Sequence, residues 1–241
     1  MALGKDNRIN LVCISDRKYL KYLRTLLKSL SLTNPKICIH LTLINIKSRD
    51  RTTASLKKIF KNIEFTYIDK KFNKSHHLKA FCANYRPQAI NLLMKKGYEK
   101  ILYTDVDTLF RKNLSEVTDL FNDFDIKVHF RNSDDPRFKV AAGIILFNNT
   151  AGSAEFIESW SNQVLEFETS WFADQITFYE CYKQYNKRVT FKHLDKAFID
   201  WDFKLASAIW AGKGDRKKKD ITYLLEVIKI KMKYCFERLY Q

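Results

Sequence analysis

Lys100-Ile101-Leu102-Tyr103-Thr104-Asp105-Val106-Asp107-Thr108-Leu109-Phe110 is an apolar run that stops at two acids and then resumes. Lys100 to Asp107 reads as a strand, with Ile101 to Tyr103 as its apolar lead-in. Continued through the acids, such a strand would set Asp105 and Asp107 on one face, because side-chain direction repeats every second residue. Two carboxylates so placed repel each other, and a divalent cation between them relieves the repulsion. Mg²⁺ and Mn²⁺ suit the position: they take oxygen ligands, often use only one or two carboxylates, and complete their shell with water and substrate phosphates. Ligands of open α/β sheets bind outside the carboxyl ends of the strands, where this pair would stand. A D-x-D tripeptide also ends strands in plain solvent; the apolar lead-in and the apolar Leu109-Phe110 beyond it set this one apart.

Outward from this segment, strands alternate with helices. Ile9 to Ile14 is an apolar strand ending at Ser15-Asp16, and Leu20, Leu23, Leu27 and Leu30 then fall on one helical face between Arg17 and Leu32. Lys36 to Ile46 reads as a strand buried on both faces, Arg51 to Lys61 as a basic surface helix, and Ile63 to Ile68 as a third strand. A helical pattern from His76 to Lys96 contains Pro87, which kinks or restarts it, and Gly97 ends it. Beyond the acidic segment, Asp125 to Phe130 and Lys139 to Phe147 read as strands. Thr150 to Phe167 reads as a helix with Phe156, Ile157, Trp160 and Leu165 inward, and Ala173 to Tyr182 as another. A loop after Trp201 leads to the basic run Lys213 to Lys219, and a basic amphipathic helix spans residues 221–239. The prediction is an α/β fold with a mixed, mostly parallel central sheet flanked by helices, in one domain over residues 1–241.

Composition narrows the function. Lys and Arg number 43 against 27 Asp and Glu, a net charge of +16, so the chain attracts anions. With 46% hydrophobic residues and only 6 Gly and 3 Pro, disorder and strings of linked modules are excluded. No apolar run approaches the roughly 18–20 residues of a membrane span, and Met1 to Asn10 carries charges without the apolar block of a secretory signal, so a cytoplasmic location is expected. The 5 cysteines lack C-x-x-C spacing and read as reduced thiols, and the 5 histidines lack metal spacing and read as structural or surface groups.

Several segments, in order along most of the chain, resemble the nucleotide-sugar glycosyltransferases of GT-A (Rossmann-like) fold, most of all glycosyltransferase family 8, the glycogenin and lipopolysaccharide galactosyltransferase type. Ile9 to Asp16 resembles the family's first strand and nucleoside-binding turn. Tyr85-Arg86-Pro87, a helix, Gly97 and Lys100 to Asp107 resemble its arginine-bearing helix and metal motif. Ala142-Gly143-Ile144-Ile145-Leu146-Phe147-Asn148 resembles the strand lining the sugar site, and Asp174-Gln175 the D-Q pair near the sugars. Ala211 to Lys217 resembles the C-terminal H-x-x-G-x-x-K motif, with Gly214 and Lys217 in place. Two positions depart: Ala211 stands where the family has a metal-binding His, and Ala141 where it has Asn.

The resemblance implies a metal-dependent hexosyltransferase acting on a nucleoside-diphosphate sugar, UDP-linked in the family, with stereochemistry retained. Asp105 and Asp107 would hold Mn²⁺ or Mg²⁺, Ser15 and Asp16 would face the nucleoside, and Asp174 with Gln175 the sugars. Arg86, Thr104, Val106, Gly143, Lys213, Gly214 and Lys217 would lie beside the donor. The cation and lysines would stabilise the diphosphate as it leaves, and backbone amides of Gly212-Lys213-Gly214 could approach its oxygens; read alone, the same run is a solvated basic loop. Trp171, Trp201 and Trp210 could stack on sugars or pack in the core. The acceptor would be a hydroxyl of a glycan, a lipid-linked saccharide or a protein. The helix over residues 221–239 either docks on the domain or makes peripheral contact with a membrane. Two rivals are a basic nucleic-acid-binding protein without catalysis and a GT-A protein that binds a donor without transferring it. The first lacks any recognisable nucleic-acid-binding motif, so no specific nucleic acid is expected.

Overall fold

The computed structural model describes residues 8–116 and 120–240. Of the N-terminal stretch read above for a secretory signal, residues 1–7 lie outside this set.

Seven strands form one sheet in the order β3-β2-β1-β4-β7-β6-β8. They are β1 (Ile9–Asp16), β2 (Cys38–Ile44), β3 (Ile63–Ile68), β4 (Lys100–Thr104), β6 (Ile126–Phe130), β7 (Val140–Asn148) and β8 (Phe191–His193). All run parallel to β1 except β7, which lies antiparallel between β4 and β6. A separate two-stranded ribbon pairs β5 (Thr108–Phe110) with β9 (Ile209–Ala211). The mixed, mostly parallel sheet is therefore as expected; the three-residue strands β5, β8 and β9 escaped a pattern search that needs longer windows.

Each face of the sheet carries its own core. On one, Leu11, Cys13, Leu41 and Leu43 meet Leu23, Leu26, Leu27 and Leu30 of α1 (Leu20–Thr33) and Leu56 of α2 (Arg49–Lys57). On the other, Val12, Ile101, Tyr103, Ile145 and Phe147 meet α4 (Arg86–Lys95), α5 (Ala151–Leu165) and α6 (Ala173–Tyr185) through Ile90, Phe156, Trp160 and Phe178. Asp16 closes β1 by accepting from the Tyr19 amide, starting the turn into α1.

Four differences from the sequence reading have physical causes. The pattern from His76 to Lys96 is two helices, α3 (Ser75–Asn84) and α4, broken at Tyr85; Pro87 restarts the chain in the first turn of α4, where its missing N–H costs nothing. Leu165, predicted inward, is exposed, because it ends α5 beyond the core. Asp105 and Asp107 do not share a strand face. β4 stops at Thr104, the chain turns through Asp105-Val106-Asp107, and β5 starts at Thr108, with the Thr104 and Thr108 hydroxyls hydrogen-bonded across the turn at 3.0 Å. Finally, α8 (Ile221–Leu239), reached through the short α7 (Arg216–Lys219), docks with Tyr223, Ile230 and Tyr234 inward, whereas Ile221, Leu224, Leu225, Ile228 and Met232 lie exposed.

Candidate active site

The acidic turn opens onto a cleft of about 630 Å³ at the carboxyl ends of β1 and β4 and the start of β7. The Asp105 amide donates to the Gly143 carbonyl (2.9 Å), extending the β4–β7 ladder by one rung into the turn. Gly143 leaves room there: a Cβ would stand 3.0 Å from Asp105 Oδ2 and push that carboxylate aside.

The other half of the turn is held by the C-terminal part of the chain. The β5–β9 ribbon pairs Thr108 with Ala211, which delivers Gly212 to Asp107. The Asp107 carbonyl accepts from the Gly212 amide (3.1 Å) and from the Tyr223 hydroxyl of α8 (2.9 Å). A side chain at position 212 would put its Cβ 2.5 Å from that carbonyl oxygen, so only glycine fits. Five residues on, Lys217 is buried between the rings of Tyr19 and Tyr22, with its ammonium on the Asp107 carboxylate. Burial pushes the Asp107 carboxyl up to about 6, against the pull of Lys217 and with the push of Asp105. Burial works against the Lys217 ammonium, but Asp107 outweighs it and the lysine pKa lies above its ordinary value.

Behind Asp105 lies a buried network. Arg86 Nη1 donates to Asp174 Oδ2 (2.5 Å) and Nη2 to Asp105 Oδ1 (3.3 Å), and the Tyr103 hydroxyl donates to the same Asp105 oxygen (2.9 Å). Burial raises the Asp174 carboxyl above its ordinary pKa although Arg86 opposes it. Asn84 fixes this aspartate: its Oδ1 accepts from the Asp174 amide (3.0 Å), while its Nδ2 donates to the carbonyls of Phe167, Glu168 and Ser170. Phe172, just ahead of α6, sits at φ 69°, a left-handed conformation held by this surrounding structure.

Of the residues singled out from sequence, Asp16, Arg86, Asp105, Val106, Asp107, Gly143, Asp174, Gln175, Lys213, Gly214 and Lys217 all line the cleft. Ser15 and Thr104 do not: both are buried beneath its floor, with their hydroxyls on main-chain or Thr108 oxygens. Asp174 is engaged by Arg86 rather than open to an acceptor hydroxyl. Gln175, with its amide turned to donate, reaches the carbonyls of Arg137 (3.3 Å) and Val140 (2.7 Å). The two lysines of the basic run part company: Lys217 joins Asp107, but Lys213 stands 4.6 Å above the Trp201 ring. Trp171 and Trp201 face the cleft, while Trp210 is fully buried. Tyr19, Tyr22, Asn84, Tyr103 and Arg131 were not named as site residues from the sequence; only the placement of Asn84 and Tyr103 beside Arg86 and Asp105 gave any signal.

Ala211 lines the cleft where a third ligand would be expected, and no histidine lies among the lining residues. Among the described residues, the group of three close metal-ligating side chains is elsewhere: Cys38, His40 and Glu64, at the opposite ends of β2 and β3, with His40 between Glu64 (3.2 Å) and Asn10 (3.1 Å).

A search of curated proteins finds no match to the sequence. The fold is similar to GlyE, a glycosyltransferase of Streptococcus pneumoniae TIGR4 (TM-score 0.61, 14% identity, 96% of this chain), although the chain spans only 64% of that one. It is also similar to the galactosyltransferase LgtC solved with donor and acceptor sugar analogs (TM-score 0.60, 19% identity, covering 92% of this chain and 94% of that one). Mouse xyloside xylosyltransferase 1 is a third (TM-score 0.54, 14% identity, 86% and 98%). In sequence, residues 46–238 match the nucleotide-diphospho-sugar transferase family. The match takes in both the acidic turn and the ribbon that completes it, and the chain belongs to this family, the GT-A glycosyltransferases related to glycosyltransferase family 8.

Proposed function

We propose that this chain, acting as a single domain, transfers a hexose from a UDP-type donor to a hydroxyl of a glycan, lipid-linked saccharide or protein, with retention at the anomeric carbon. Mn²⁺ or Mg²⁺ would be held by Asp105 and Asp107. The observation that carries this reading is the convergence of both carboxylates, Arg86 and Lys217 on one cleft.

The residues fit an oxygen-seeking cation. Asp105 Oδ1 is taken by Tyr103 and Arg86, and Asp107 Oδ2 by Lys217. Asp105 Oδ2 and Asp107 Oδ1 receive no hydrogen bond from another residue among those described, and Gly143 leaves the space beside Asp105 Oδ2 open. Two hard donors with water and phosphate completing the shell suit Mg²⁺ or Mn²⁺. When bound, the cation neutralises charge on the departing diphosphate. Lys217 adds a second positive charge on the same side, held ready by Tyr19 and Tyr22. Asp174 acts through Arg86, fixing the guanidinium beside Asp105; Gln175 lines the sugar side of the cleft.

The test is a thermal-shift panel of nucleotides and nucleotide sugars, with Mn²⁺ and with chelator, on the wild type and Asp105→Ala. A donor at about a hundred times its dissociation constant adds about 2.7 kcal/mol, a rise of roughly 5–10 °C in Tm for a chain of this size. The expected result is a cation-dependent shift with one nucleotide family, lost in the variant. No shift with any nucleotide overturns the reading.

A membrane contact through α8 is part of the proposal. Ile221, Leu225, Ile228, Met232, Phe236 and Leu239 form a continuous exposed stripe along α8, bordered by Lys229, Lys231 and Lys233. That pattern suits a helix lying in the headgroup region of an anionic bilayer. No described helix is long and apolar enough to cross a membrane.

A further inference from the structure

At one end of the cleft, cations gather without matching acids. Arg131 follows β6, Lys196 lies in a short helical turn, and Lys213 follows β9. All three stand over the Trp201 ring, at 5.2, 4.3 and 4.6 Å. Arg216 is close by, and Asp202 takes up two of the charges, pairing with Lys196 (2.5 Å) and Arg216 (2.8 Å). Among the described residues Arg131 and Lys213 have no carboxylate partner, and Arg131 Nε is buried with no hydrogen bond. Burial, then repulsion from Arg131, Arg216 and Lys196, holds the Lys213 ammonium below its ordinary pKa. Half-buried like charges without counter-charge are costly to assemble and are relieved by an anion.

The sheet order sets Arg131 apart from the donor's diphosphate. Asp16 ends β1, Asp105 follows β4, Gly143 lies on β7 and Arg131 follows β6, which are successive neighbours in the sheet. Arg131 therefore stands two strands across from Asp105, on the opposite side of it from Asp16. With the nucleoside at Asp16 and the diphosphate at Asp105, Asp107 and Lys217, the Arg131 end is where an acceptor enters.

Resting on the reading of the preceding subsection, we propose that Arg131 and Lys213, braced on Trp201, form an acceptor subsite for an anionic group. The acceptor saccharide then carries a phosphate or a carboxylate near its reacting hydroxyl. The guanidinium and the ammonium beside it provide the charge-assisted hydrogen bonds that such a group accepts.

The test uses the full chain saturated with UDP and Mn²⁺, titrated with glucose, glucose 6-phosphate and glucuronate by ligand-observed NMR. At least one anionic sugar should bind tenfold or more tightly than glucose; which one does so separates phosphate from carboxylate. In Arg131→Met that advantage should vanish, while UDP–Mn²⁺ affinity, which also reports an intact fold, stays within twofold of wild type. Equal binding of neutral and anionic sugars overturns the subsite. A tenfold loss of UDP affinity in the variant also overturns it, by giving Arg131 to the donor. Failure of the wild type to bind UDP at all would instead sink the donor reading beneath it.

Discussion

Lys217 places its ammonium on the carboxylate of Asp107, a residue 110 positions earlier, and both are enclosed by Tyr19, Tyr22 and the β5–β9 ribbon. The pair joins the acidic turn to the basic run, and neither side of it is free to move alone. Removing one partner from a buried pair ordinarily costs about 3–5 kcal/mol.

Lys217→Met should cost less, because Asp107 has a way out. With its pKa already near 6 beside the lysine, the carboxyl takes up a proton at neutral pH once the ammonium is gone. A loss of about 2–3 kcal/mol in urea unfolding at pH 7 is expected, together with loss of nucleotide binding. A loss above 5 kcal/mol would mean the charge stayed buried and unpaired.

The same group sets a pH dependence in the presence of chelator. Asp107 has a folded pKa raised above its unfolded value, so the fold favours its protonated form. That contribution is full below about pH 4 and fades as pH rises to about 6, by ~2–3 kcal/mol at most. Asp107→Asn, neutral throughout, should flatten this part of the stability curve. The measurement is denaturant unfolding of wild type and variant between pH 4 and 8.

Gly143→Ala and Gly212→Ala separate two kinds of crowding. At Gly143 the new methyl meets a side-chain oxygen of Asp105 at 3.0 Å, which can swing away. Stability should change by less than about 1.5 kcal/mol, but Mn²⁺ affinity, read by electron paramagnetic resonance, should fall at least tenfold. At Gly212 the obstacle is the Asp107 carbonyl at 2.5 Å, so the ribbon must separate, at about 3 kcal/mol or more.

Asp174→Leu leaves the Arg86 guanidinium buried without its closest partner and should destabilise by about 3–5 kcal/mol. The double variant Arg86→Met/Asp174→Leu should recover most of that loss while remaining inactive in transfer. Recovery of activity along with stability would remove Arg86 from the donor site.

Replacing Leu225, Ile228 and Met232 together by Ser should leave Tm within a few degrees, since all three are exposed, and abolish sedimentation with anionic phospholipid vesicles. Ile230→Ala, on the docked face, should instead cost about 2–4 kcal/mol. Unchanged vesicle binding in the triple variant would exclude α8 as the contact.

The long elements were legible because their patterns are local: Leu23, Leu27 and Leu30 repeat at helical spacing, and Ile63 to Ile68 is bounded as predicted. The acidic pair was legible as chemistry but not as geometry. No local pattern says that β4 stops at Thr104, because the stop depends on Thr108 reaching back across the turn. Ser15 and Thr104 looked like ligands for being next to Asp16 and Asp105, yet strand alternation sends their side chains beneath the floor. On α8 the apolar residues picked from sequence formed a stripe, but Tyr223 and Tyr234 had the better partners in Asp107 and the carbonyls of Lys58 and Ile59. Partners that distant along the chain leave no local trace.

The ribbon between Thr108–Phe110 and Ile209–Ala211 also orders events in time. Every strand of the main sheet lies before Leu194, so the sheet is complete in sequence before the second ribbon strand and Lys217 are made. Asp107 then waits for Gly212, Lys217 and Tyr223 to emerge. A chain stopped before Gly212 would present the acidic turn unpaired and the cleft open along one wall. Completion of the cleft thus waits for residues 212–223, and a nucleotide-binding assay on a chain stopped after residue 206 would see the sheet without the site.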